Sequence, residues 1–396
     1  MSTSSRVSFI DGVRTPFGRA GEKGVYWTTR ADDLMVKAVV GLLERNQNIP
    51  PAAIDEVAVA AATQQGDQGL VLGRSVAILA GLPLTVPGYA IDRWCAGAMT
   101  AATTVAGGIA MGAYDIAIAG GVEHMGHHPI GQGFDPNPRF ISEKIVDPAA
   151  LSMGETAERL HDRFPQLTKE RSDRFAVASQ AKAEAAYQAG KIQQDLISVS
   201  ASSESGWTVV DVDEVRRPGT SMEGLAELKT PFRPHGRVTA GNSSGLTDGA
   251  TACILAGEAA VAKYGLKPKM HLVTYAFAGV EPEVMGIGPI PATEKALARA
   301  GLTMSDIGLI EINEAFAVQV LSFTDHFGMP DDDPRVNPMG GALAYGHPLA
   351  SSGVRLMLQL AREFEDHPEV RYGMTTMCVG LGQGGTVIWE NPNWKK

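Results

Sequence analysis

The sequence predicts an α/β protein built from two similar halves. Two short, nearly all-apolar strands are predicted at Ile54–Ala62 and Gly88–Ile91, and a helical segment at Arg74–Leu79 lies between them. Strands of this kind are typical of a parallel sheet covered by helices on both faces. The same order of elements begins again near Met270. With 396 residues, 44% of them hydrophobic, the chain is long enough for two or three domains.

The first half opens with a predicted strand at Val7–Ile10 and a helix at Ala31–Glu44, whose apolar residues recur with helical spacing. Another buried strand is predicted at Tyr114–Ala119. From 121 to 247 the histidines, prolines and charged residues become more frequent, and a long helix is predicted at Lys169–Ala189. We expect this block to be an insertion with binding loops.

The second half repeats this order. A strand predicted at Ile307–Ile312 corresponds to the one near Asp55, and aligning Ile307 with Asp55 sets an offset of 252 residues (307 − 55). The same offset places Cys95 onto His347, and each of these residues precedes a helix of small residues. We therefore predict an internal duplication that brings Cys95 and His347 together.

Cys95 lies in IDRWCAGAMTAATTVA, where a turn leads into a closely packed helix. The unpaired N–H groups at a helix start favour a thiolate, so Cys95 is the candidate nucleophile. The alternative is a small buried hydrophobic residue. His347, in YGHPLASSG, is its candidate partner because a nearby imidazole keeps a cysteine ionised. The alternative for His347 is a cap on the turn before Pro348.

Two further segments of the second half carry residues suited to catalysis or ligand binding. Cys378 stands in MCVGLGQGG, where the glycines offer a thiol little apolar packing, so an acid/base role is favoured. A nucleophilic and a proton-transferring cysteine together suit a reaction that forms and protonates a carbanion. Asn313 and Glu314 follow a predicted strand, the usual place of a ligand crevice. Cys253, in TACILAG, is predicted to be core.

Composition argues against several classes of function. The net charge of −10 disfavours nucleic-acid binding. No cysteine or histidine pair has the spacing of a metal site. No segment reaches about 18 uninterrupted apolar residues, so we expect no membrane span. Three distant cysteines indicate a reducing compartment, and we expect a cytoplasmic protein. The run GLGQGG precedes a strand, which disfavours a nicotinamide-binding fingerprint.

Almost end to end, the sequence resembles the thiolase family, and within it the bacterial degradative 3-ketoacyl-CoA thiolases. The resemblance rests on VRTPFGR, DRWCAGAMTAA, GGVEHMGHHPI, SMGETAE, VTAGNSSGLTDGA, INEAFA, NPMGGALAYGHPLASSG and MCVGLGQGG. It implies the thiolase fold: duplicated βαβαβ halves in a five-layered α-β-α-β-α arrangement with an inserted loop domain. The implied domains are 1–120 with 248–269, a loop domain at 121–247, and 270–396.

The resemblance also implies the reaction. CoA would cleave a 3-ketoacyl-CoA to acetyl-CoA and a chain-shortened acyl-CoA, by a ping-pong route through acyl-Cys95, in fatty-acid β-oxidation. His347 would lower the pKa of Cys95 and bind the thioester oxygen, and Asn313 would hold a water in the same oxyanion hole. Cys378 would be the acid/base. The N–H groups of Cys95 and Gly380 would form a second oxyanion hole.

The resemblance implies CoA as a co-substrate, with no permanently bound cofactor and no metal. Arg217 and Ser244 fall on positions that contact CoA in the family, while Met153 and Phe316 fall on positions that line the acyl pocket. A homodimer or homotetramer is implied. A hydratase/dehydrogenase subunit of a β-oxidation complex is a further implied partner.

Two residues depart from the family's pattern: Asp92 stands where Asn is common, and Ala350 where Gly is common. The alternative function is an acetoacetyl-CoA thiolase that works in the biosynthetic direction with the same residues. Met153, where acetoacetyl-CoA-specific members have a histidine, favours longer substrates. A decarboxylating ketosynthase pairs its cysteine with two histidines, which disagrees with Cys378. A non-catalytic thiolase-like protein disagrees with the intact catalytic set.

Overall fold

The strands of the computed structural model form one long sheet and one separate hairpin. The structure describes residues 6–203 and 206–395. Within these ranges the strands are β1 Val7–Arg14, β2 Gly18–Arg19, β3 Glu56–Ala60, β4 Gly88–Ile91, β5 Ile116–His124, β6 Val199–Ser203, β7 Gly206–Val210, β8 Thr247–Gly257, β9 Met270–Gly279, β10 Ile307–Ile312, β11 Tyr372–Val379 and β12 Gln383–Glu390.

The helices begin and end at residues that suit their positions. The Thr168 side chain caps α6 by accepting from the N–H of Arg171, and Gly301 ends α9 with a φ of 66°. The described α-helices are α1 Ala31–Arg45, α2 Leu72–Leu79, α3 Gly97–Ala110, α4 Arg139–Ser142, α5 Met153–Arg163, α6 Lys169–Gln188, α7 Met222–Ala226, α8 Glu258–Tyr264, α9 Pro289–Ala300, α10 Ala317–His326, α11 Ala342–Tyr345 and α12 Ser352–Asp366.

The long sheet is mixed, which corrects the prediction of a parallel sheet. Its order is β10-β11-β12-β9-β1-β8-β5-β3-β4. The outer pairs β10–β11, β5–β3 and β3–β4 are parallel, whereas every pair between them is antiparallel. Strands buried on both faces look alike in either direction, so apolar content could not reveal this. The two halves join through β1 and β9, by the residue pairs Ser8–His271 and Phe9–Met270.

Three apolar clusters define the layers of the molecule. The first lies between the outer helices α1 and α2 and the sheet of the first half. The second surrounds α3 and α12 between the two halves of the sheet. The third lies between the sheet of the second half and the outer helices α9 and α10. This order is helix, sheet, helix, sheet, helix, which agrees with the predicted five-layered α-β-α-β-α arrangement.

The two central helices approach each other closely at their starts. A Cβ on Gly97, the first residue of α3, would lie 2.9 Å from the Cβ of Ala350 and 2.7 Å from that of Ala60. A Cβ on Gly353, in α12, would lie 2.5 Å from the backbone nitrogen of Met99. Small residues are therefore required at this seam, and the starts of both helices meet in the interior.

The duplication is present, but its offset at the seam differs from the predicted 252 residues. Helix α12 begins 255 residues after α3 (352 − 97). Cys95 lies in the 3-10 turn Trp94–Ala96 before α3, and the corresponding turn before α12 is Leu349–Ser351. The structural counterpart of Cys95 is therefore Ala350, and His347 lies three residues earlier. Loops of unequal length between the repeats shift the alignment.

Three individual predictions are confirmed: the core position of Cys253, the long helix and one strand of the second half. Cys253 is fully buried in β8, as predicted for a core residue. The long helix predicted at Lys169–Ala189 is α6, and the strand predicted at Ile307–Ile312 has those bounds. No helix in the described ranges is long and apolar enough to cross a membrane.

Candidate active site

Cys95 lies in a turn with a strained neighbour. It is buried, and Trp94 before it has a φ of 41°, in the left-handed region that side chains rarely adopt. The backbone N–H groups of Gly380 and of Cys95 itself donate to its sulfur. The turn therefore points the sulfur at two main-chain donors, one from each half of the molecule.

The ionisation of Cys95 differs from the prediction. Burial raises the pKa of the thiol to about 12, with smaller upward contributions from the charges of Glu123 and Asp92. The two N–H donors lower the pKa but do not offset burial. The helix start was expected to favour a thiolate, whereas burial of the sulfur favours the thiol.

Gly380 can only be glycine at this position. A Cβ there would lie 2.2 Å from Cε3 of the Trp94 ring. The turn that follows Gly380 uses two residues with positive φ, Leu381 at 61° and Gly382 at 75°. This tight connection between β11 and β12 places the N–H of Gly380 against the nucleophile.

His347 is buried, and it is held by Ser352 of α12 and by the loop that precedes β8. Its Nδ1 lies 2.6 Å from Oγ of Ser352, and its backbone N–H donates to the carbonyl of Gly245 at 3.3 Å. Burial, and to a smaller extent the charge of Arg355, lowers the pKa of the imidazole to about 3. The ring is therefore neutral and available to accept or donate a proton.

Asn313 lies beside His347, as the sequence suggested for two residues of one site. Its Nδ2 is 3.4 Å from Nε2 and 3.5 Å from Nδ1 of the ring, and its Oδ1 accepts from Nη2 of Arg355 at 3.0 Å. Its backbone N–H donates to the carbonyl of Thr376 at 2.9 Å. The amide is thus held by both β11 and α12.

Cys378 is the penultimate residue of β11 and is completely buried. Burial raises the pKa of its thiol well above the ordinary value, and a negative charge on Cys95 raises it further. The two sulfurs are therefore neighbours. Cys95, Cys378 and Gly380 form one group, and His347 and Asn313 form a second. The two groups come together because the turn Trp94–Ala96 packs against the turn Leu349–Ser351.

A nearly closed cavity of about 20 Å³ lies over Cys95. Its walls are mainly apolar, and the rings of Trp94 and Phe134 close it with centroids 5.3 Å apart. Met153, at the start of α5, lines this cavity. Phe316 does not line it. That ring is buried in the apolar cluster of the second half, at the start of α10.

The two predicted CoA contacts lie in loops. The N–H of Ser244 donates to the carbonyl of Ala315 at 3.0 Å, and the neighbouring Ser243 forms an isolated antiparallel β-bridge with Phe316. Arg217 is exposed between β7 and α7, where its backbone N–H donates to Oε1 of Gln180 at 3.2 Å. Its guanidinium makes no described ion pair.

Of the two departures from the family's pattern, Asp92 makes a specific contact: its Oδ1 accepts from the N–H of Trp94 at 2.7 Å. The side chain of Ala350 is fully buried against Gly97. Both residues therefore fit the turns on which they lie.

Glu123 is a residue of this site that the sequence did not predict. This buried carboxylate lines the cavity beside Cys95, and it accepts from the N–H of Ala62 at 2.9 Å and from Nε2 of Gln68 at 2.8 Å. The signal was a charged residue in an otherwise apolar strand, GGVEH. Arg355, in the apolar run SGVRLML, was missed in the same way.

A histidine pair lies near the cavity. Asp67 accepts from His127 at 2.8 Å and from His128, which lines the cavity, at 2.5 Å. Burial raises the pKa of Asp67, but the N–H of Ala31, which donates to Oδ2 at 2.9 Å, and the two histidines together hold that pKa below its ordinary value. Among the described residues no group of histidines, cysteines and carboxylates is arranged to hold a metal ion.

Comparison with known proteins matches two family descriptions to the chain. Residues 7–259 match the thiolase N-terminal domain, and residues 266–391 match the thiolase C-terminal domain. A 3-ketoacyl-CoA thiolase of Pseudoalteromonas translucida is 42% identical over 384 residues, which is 96% of this chain and 97% of the relative. A beta-ketoadipyl-CoA thiolase of Pseudomonas knackmussii is 42% identical over 402 residues, 98% and 99% of the two chains.

Solved structures agree with these matches. The human mitochondrial 3-ketoacyl-CoA thiolase superposes with a TM-score of 0.89 at 32% identity, over 98% of this chain and 100% of the other. The Bacillus anthracis acetyl-CoA acetyltransferase superposes with a TM-score of 0.88 at 32% identity, over 99% and 100%. Similarity therefore extends over nearly the whole chain in both sequence and fold.

Proposed function

Because the chain belongs to the thiolase family, we propose that Cys95 is the nucleophile of its acyl-transfer reaction. The protein is an acyltransferase that cleaves a 3-ketoacyl-CoA with CoA, giving acetyl-CoA and an acyl-CoA one acetyl unit shorter. The observation that supports Cys95 is the convergence of the Gly380 and Cys95 N–H groups on its sulfur. Donors in that position can hold the oxygen of a tetrahedral intermediate.

In the first half-reaction, the sulfur of Cys95 attacks the 3-keto carbon while its proton passes to the neutral ring of His347. The ketone oxygen becomes an oxyanion held by the N–H groups of Cys95 and Gly380. When the oxyanion collapses, the carbon–carbon bond breaks and the acetyl-CoA enolate leaves. His347 and a water on Asn313 bind the thioester oxygen of this enolate, and the thiol of Cys378 protonates its carbon.

In the second half-reaction, CoA gives its thiol proton to the thiolate of Cys378 and attacks acyl-Cys95. The new acyl-CoA leaves, and the Cys95 thiolate recovers its proton from His347. Each group thus returns to its starting state, as a ping-pong cycle requires. The high pKa of Cys378 suits a group that must hold a proton until a carbanion forms beside it.

We propose that the acyl group is a hydrocarbon chain, as in fatty-acid β-oxidation. Trp94, Ile130, Phe134 and Met153 give the cavity apolar walls, and the carboxylate of Glu123 would repel an acid-ended chain. The relative named for beta-ketoadipyl-CoA acts on such an acid. The biosynthetic direction would use the same catalytic residues, but the relatives named 3-ketoacyl-CoA thiolase favour cleavage.

CoA is a substrate, and we propose that no cofactor stays bound. Arg217 is proposed to meet a CoA phosphate, because it is exposed and its guanidinium makes no ion pair among the described residues. Ser244 is proposed to contact the pantetheine arm from its loop beside Ala315. Phe316, despite its distance from the cavity over Cys95, remains a proposed pocket residue because Ser243 bridges to it.

We further propose a homodimer or homotetramer, with a hydratase/dehydrogenase subunit as a second partner. Exposed apolar side chains around α2 support association: Leu70 is 88% exposed, Leu84 75% and Val71 57%. Strand β4, next to them, has one open edge, because among the described strands it pairs with β3 alone. A single mass near that of one chain, 41.8 kDa, in light scattering would contradict this proposal.

The proposed domains are 1–120 with 248–269, a loop domain at 121–247, and 270–396. The location proposed is the cytoplasm, which three free and buried cysteines support.

The function is tested by thiolysis of 3-ketoacyl-CoA esters of increasing length, with Cys95→Ala and Cys378→Ala as variants. We expect cleavage of medium or long chains by the unmodified enzyme and loss of cleavage in both variants. Mass spectrometry without added CoA should find an acyl group on Cys95, still present in trace amounts in Cys378→Ala. Activity confined to acetoacetyl-CoA would favour the biosynthetic alternative. Full activity in Cys95→Ala would refute the mechanism.

A further inference from the structure

Arg355 is a buried arginine on α12 that lies directly behind the Asn313 amide. It is 1% exposed, and its Nη2 donates to Oδ1 of Asn313 at 3.0 Å. Its Nη1 donates to Oε1 of Gln359, one turn further along α12. Gln359 is fixed in turn, because its Nε2 donates to the carbonyl of Gly340 at 3.0 Å. The guanidinium is therefore held in one orientation.

This contact decides which end of the amide faces the site. A guanidinium can only donate hydrogen bonds, so the atom of Asn313 that meets Arg355 must be the oxygen. The NH2 group then lies against His347, at 3.4 and 3.5 Å from the two ring nitrogens. Because Nδ2 of Asn313 is almost equally far from both ring nitrogens, it lies over the face of the imidazole and not in line with either nitrogen. The N–H groups thus remain free for an oxygen in the site.

The positive charge of Arg355 also acts on the groups around the Asn313 amide. Glu311, two residues before Asn313, is fully buried, and neither of its carboxylate oxygens has a hydrogen-bond partner among the described residues. Burial raises the pKa of Glu311 well above its ordinary value, while the charge of Arg355 lowers it. Burial and then Arg355 lower the pKa of His347. A fixed positive charge therefore lies beside both groups of the proposed first oxyanion hole.

We infer that Arg355 is a positioning residue: it holds the Asn313 amide with its NH2 group toward the water that binds the thioester oxygen, and it polarises that amide. This inference rests on the proposed function, in which that oxygen gains negative charge as the enolate leaves. A donor fixed in place before charge develops contributes about 10²–10³ to kcat. Arg355 touches no reacting atom and acts through Asn313.

A double-mutant cycle on kcat tests this role. Arg355→Met should lower kcat by about 10–100-fold and change KM by less than about threefold, because the lost interaction forms mainly in the transition state. In the Asn313→Ala background, the same change should alter kcat by less than about twofold, since the amide that it positions is gone. An equal loss in both backgrounds would identify a structural role and overturn the inference.

Arg362→Met is the matched control. Arg362 lies two turns further along α12, and its Nε donates to Asp195 at 2.8 Å, away from Asn313. This variant should lower Tm and leave kcat unchanged. If Arg355→Met does not fold, Asn313→Asp gives a second test, because Asp keeps an oxygen for Arg355 and lacks the NH2 group. Asn313→Asp should fold and lose as much kcat as Asn313→Ala, and near-normal activity would overturn the inference.

The failure of this inference can be distinguished from failure of the proposed function. If the unmodified enzyme forms no acyl-Cys95 with a 3-ketoacyl-CoA, the proposed function is wrong. If acyl-Cys95 forms but the effects of the Arg355 and Asn313 substitutions multiply independently, only the role of Arg355 is wrong.

Discussion

The backbone N–H of Ala350 donates to Oε2 of Glu123 at 3.2 Å, so a carboxylate of the first half holds the turn that precedes α12. The same side chain accepts from Ala62 and from Gln68. Its negative charge adds to the effect of burial in raising the pKa of Cys95. Glu123 therefore joins the two halves and opposes ionisation of the nucleophile.

Replacing Glu123 with Gln should lower the pKa of Cys95, because the negative charge beside the thiol is removed. Thermal stability should fall, because the amide NH2 cannot accept the N–H groups that a carboxylate oxygen accepts. The measurement is the pH dependence of Cys95 alkylation by iodoacetamide, with Cys378→Ala in the background so that Cys253, fully buried in β8, is the one other thiol. An unchanged or higher apparent pKa would contradict this account.

Asp92→Asn should lower the same pKa by a smaller amount. The amide oxygen can still accept from the N–H of Trp94, so Tm should change little, while the charge is lost. Because Glu123 contributes more than Asp92 to the pKa of Cys95, alkylation profiles of the two variants should differ in that order. A larger shift in Asp92→Asn than in Glu123→Gln would be inconsistent with the structure.

Gly380→Ala should abolish most activity. Its Cβ would lie 2.2 Å from the Trp94 ring, so either the ring or the N–H donor to Cys95 must move. Loss of one such donor lowers kcat by about 10²–10³. Gly107→Ala in α3 is the matched control, since nothing lies within 4 Å of its added Cβ. That change should stabilise the helix by about 0.5–1 kcal/mol and leave kcat unaltered.

His161 should make the protein less stable as the pH falls. Burial lowers its pKa from 6.5 to about 4, so the folded state keeps it neutral while the unfolded state takes up a proton. Its contribution is fully present above pH 6.5 and is lost toward pH 4. By pH 5 the loss is about 2 kcal/mol.

The test of this effect is urea unfolding of the protein and of His161→Gln at pH 7 and pH 5. The difference in unfolding free energy between the two pH values should be smaller in the variant by about 2 kcal/mol. Equal differences would mean that His161 does not titrate as its burial requires.

Local patterns in the sequence predicted the position of Cys95 before α3 and of Asn313 after β10. Both depend on short-range features, a turn before small residues and a polar residue after an apolar strand. The direction of the strands in the middle of the sheet was not predictable, since buried strands have the same apolar content in either direction. The repeat was recognised, but loop lengths made its offset wrong by three residues at His347.

The roles of buried charged residues depended on tertiary contacts. The helix start suggested a thiolate at Cys95, and burial of the sulfur, which no local pattern reveals, reverses that preference. Glu123 and Arg355 stand in apolar segments of the sequence, yet their partners come from other elements. A lone charge in an apolar run is a signal that could have identified both.

The close contact between Gly97 and Ala350 has an evolutionary consequence. If the molecule arose from two identical chains, Cys95 and Ala350 descend from one ancestral position, and the present seam allows bulk on one side only. At this position the first repeat now carries a sulfur and the second a methyl group. The two repeats therefore contribute different residues to the proposed catalytic centre. Replacing either repeat with a copy of the other would remove the residues that it contributes.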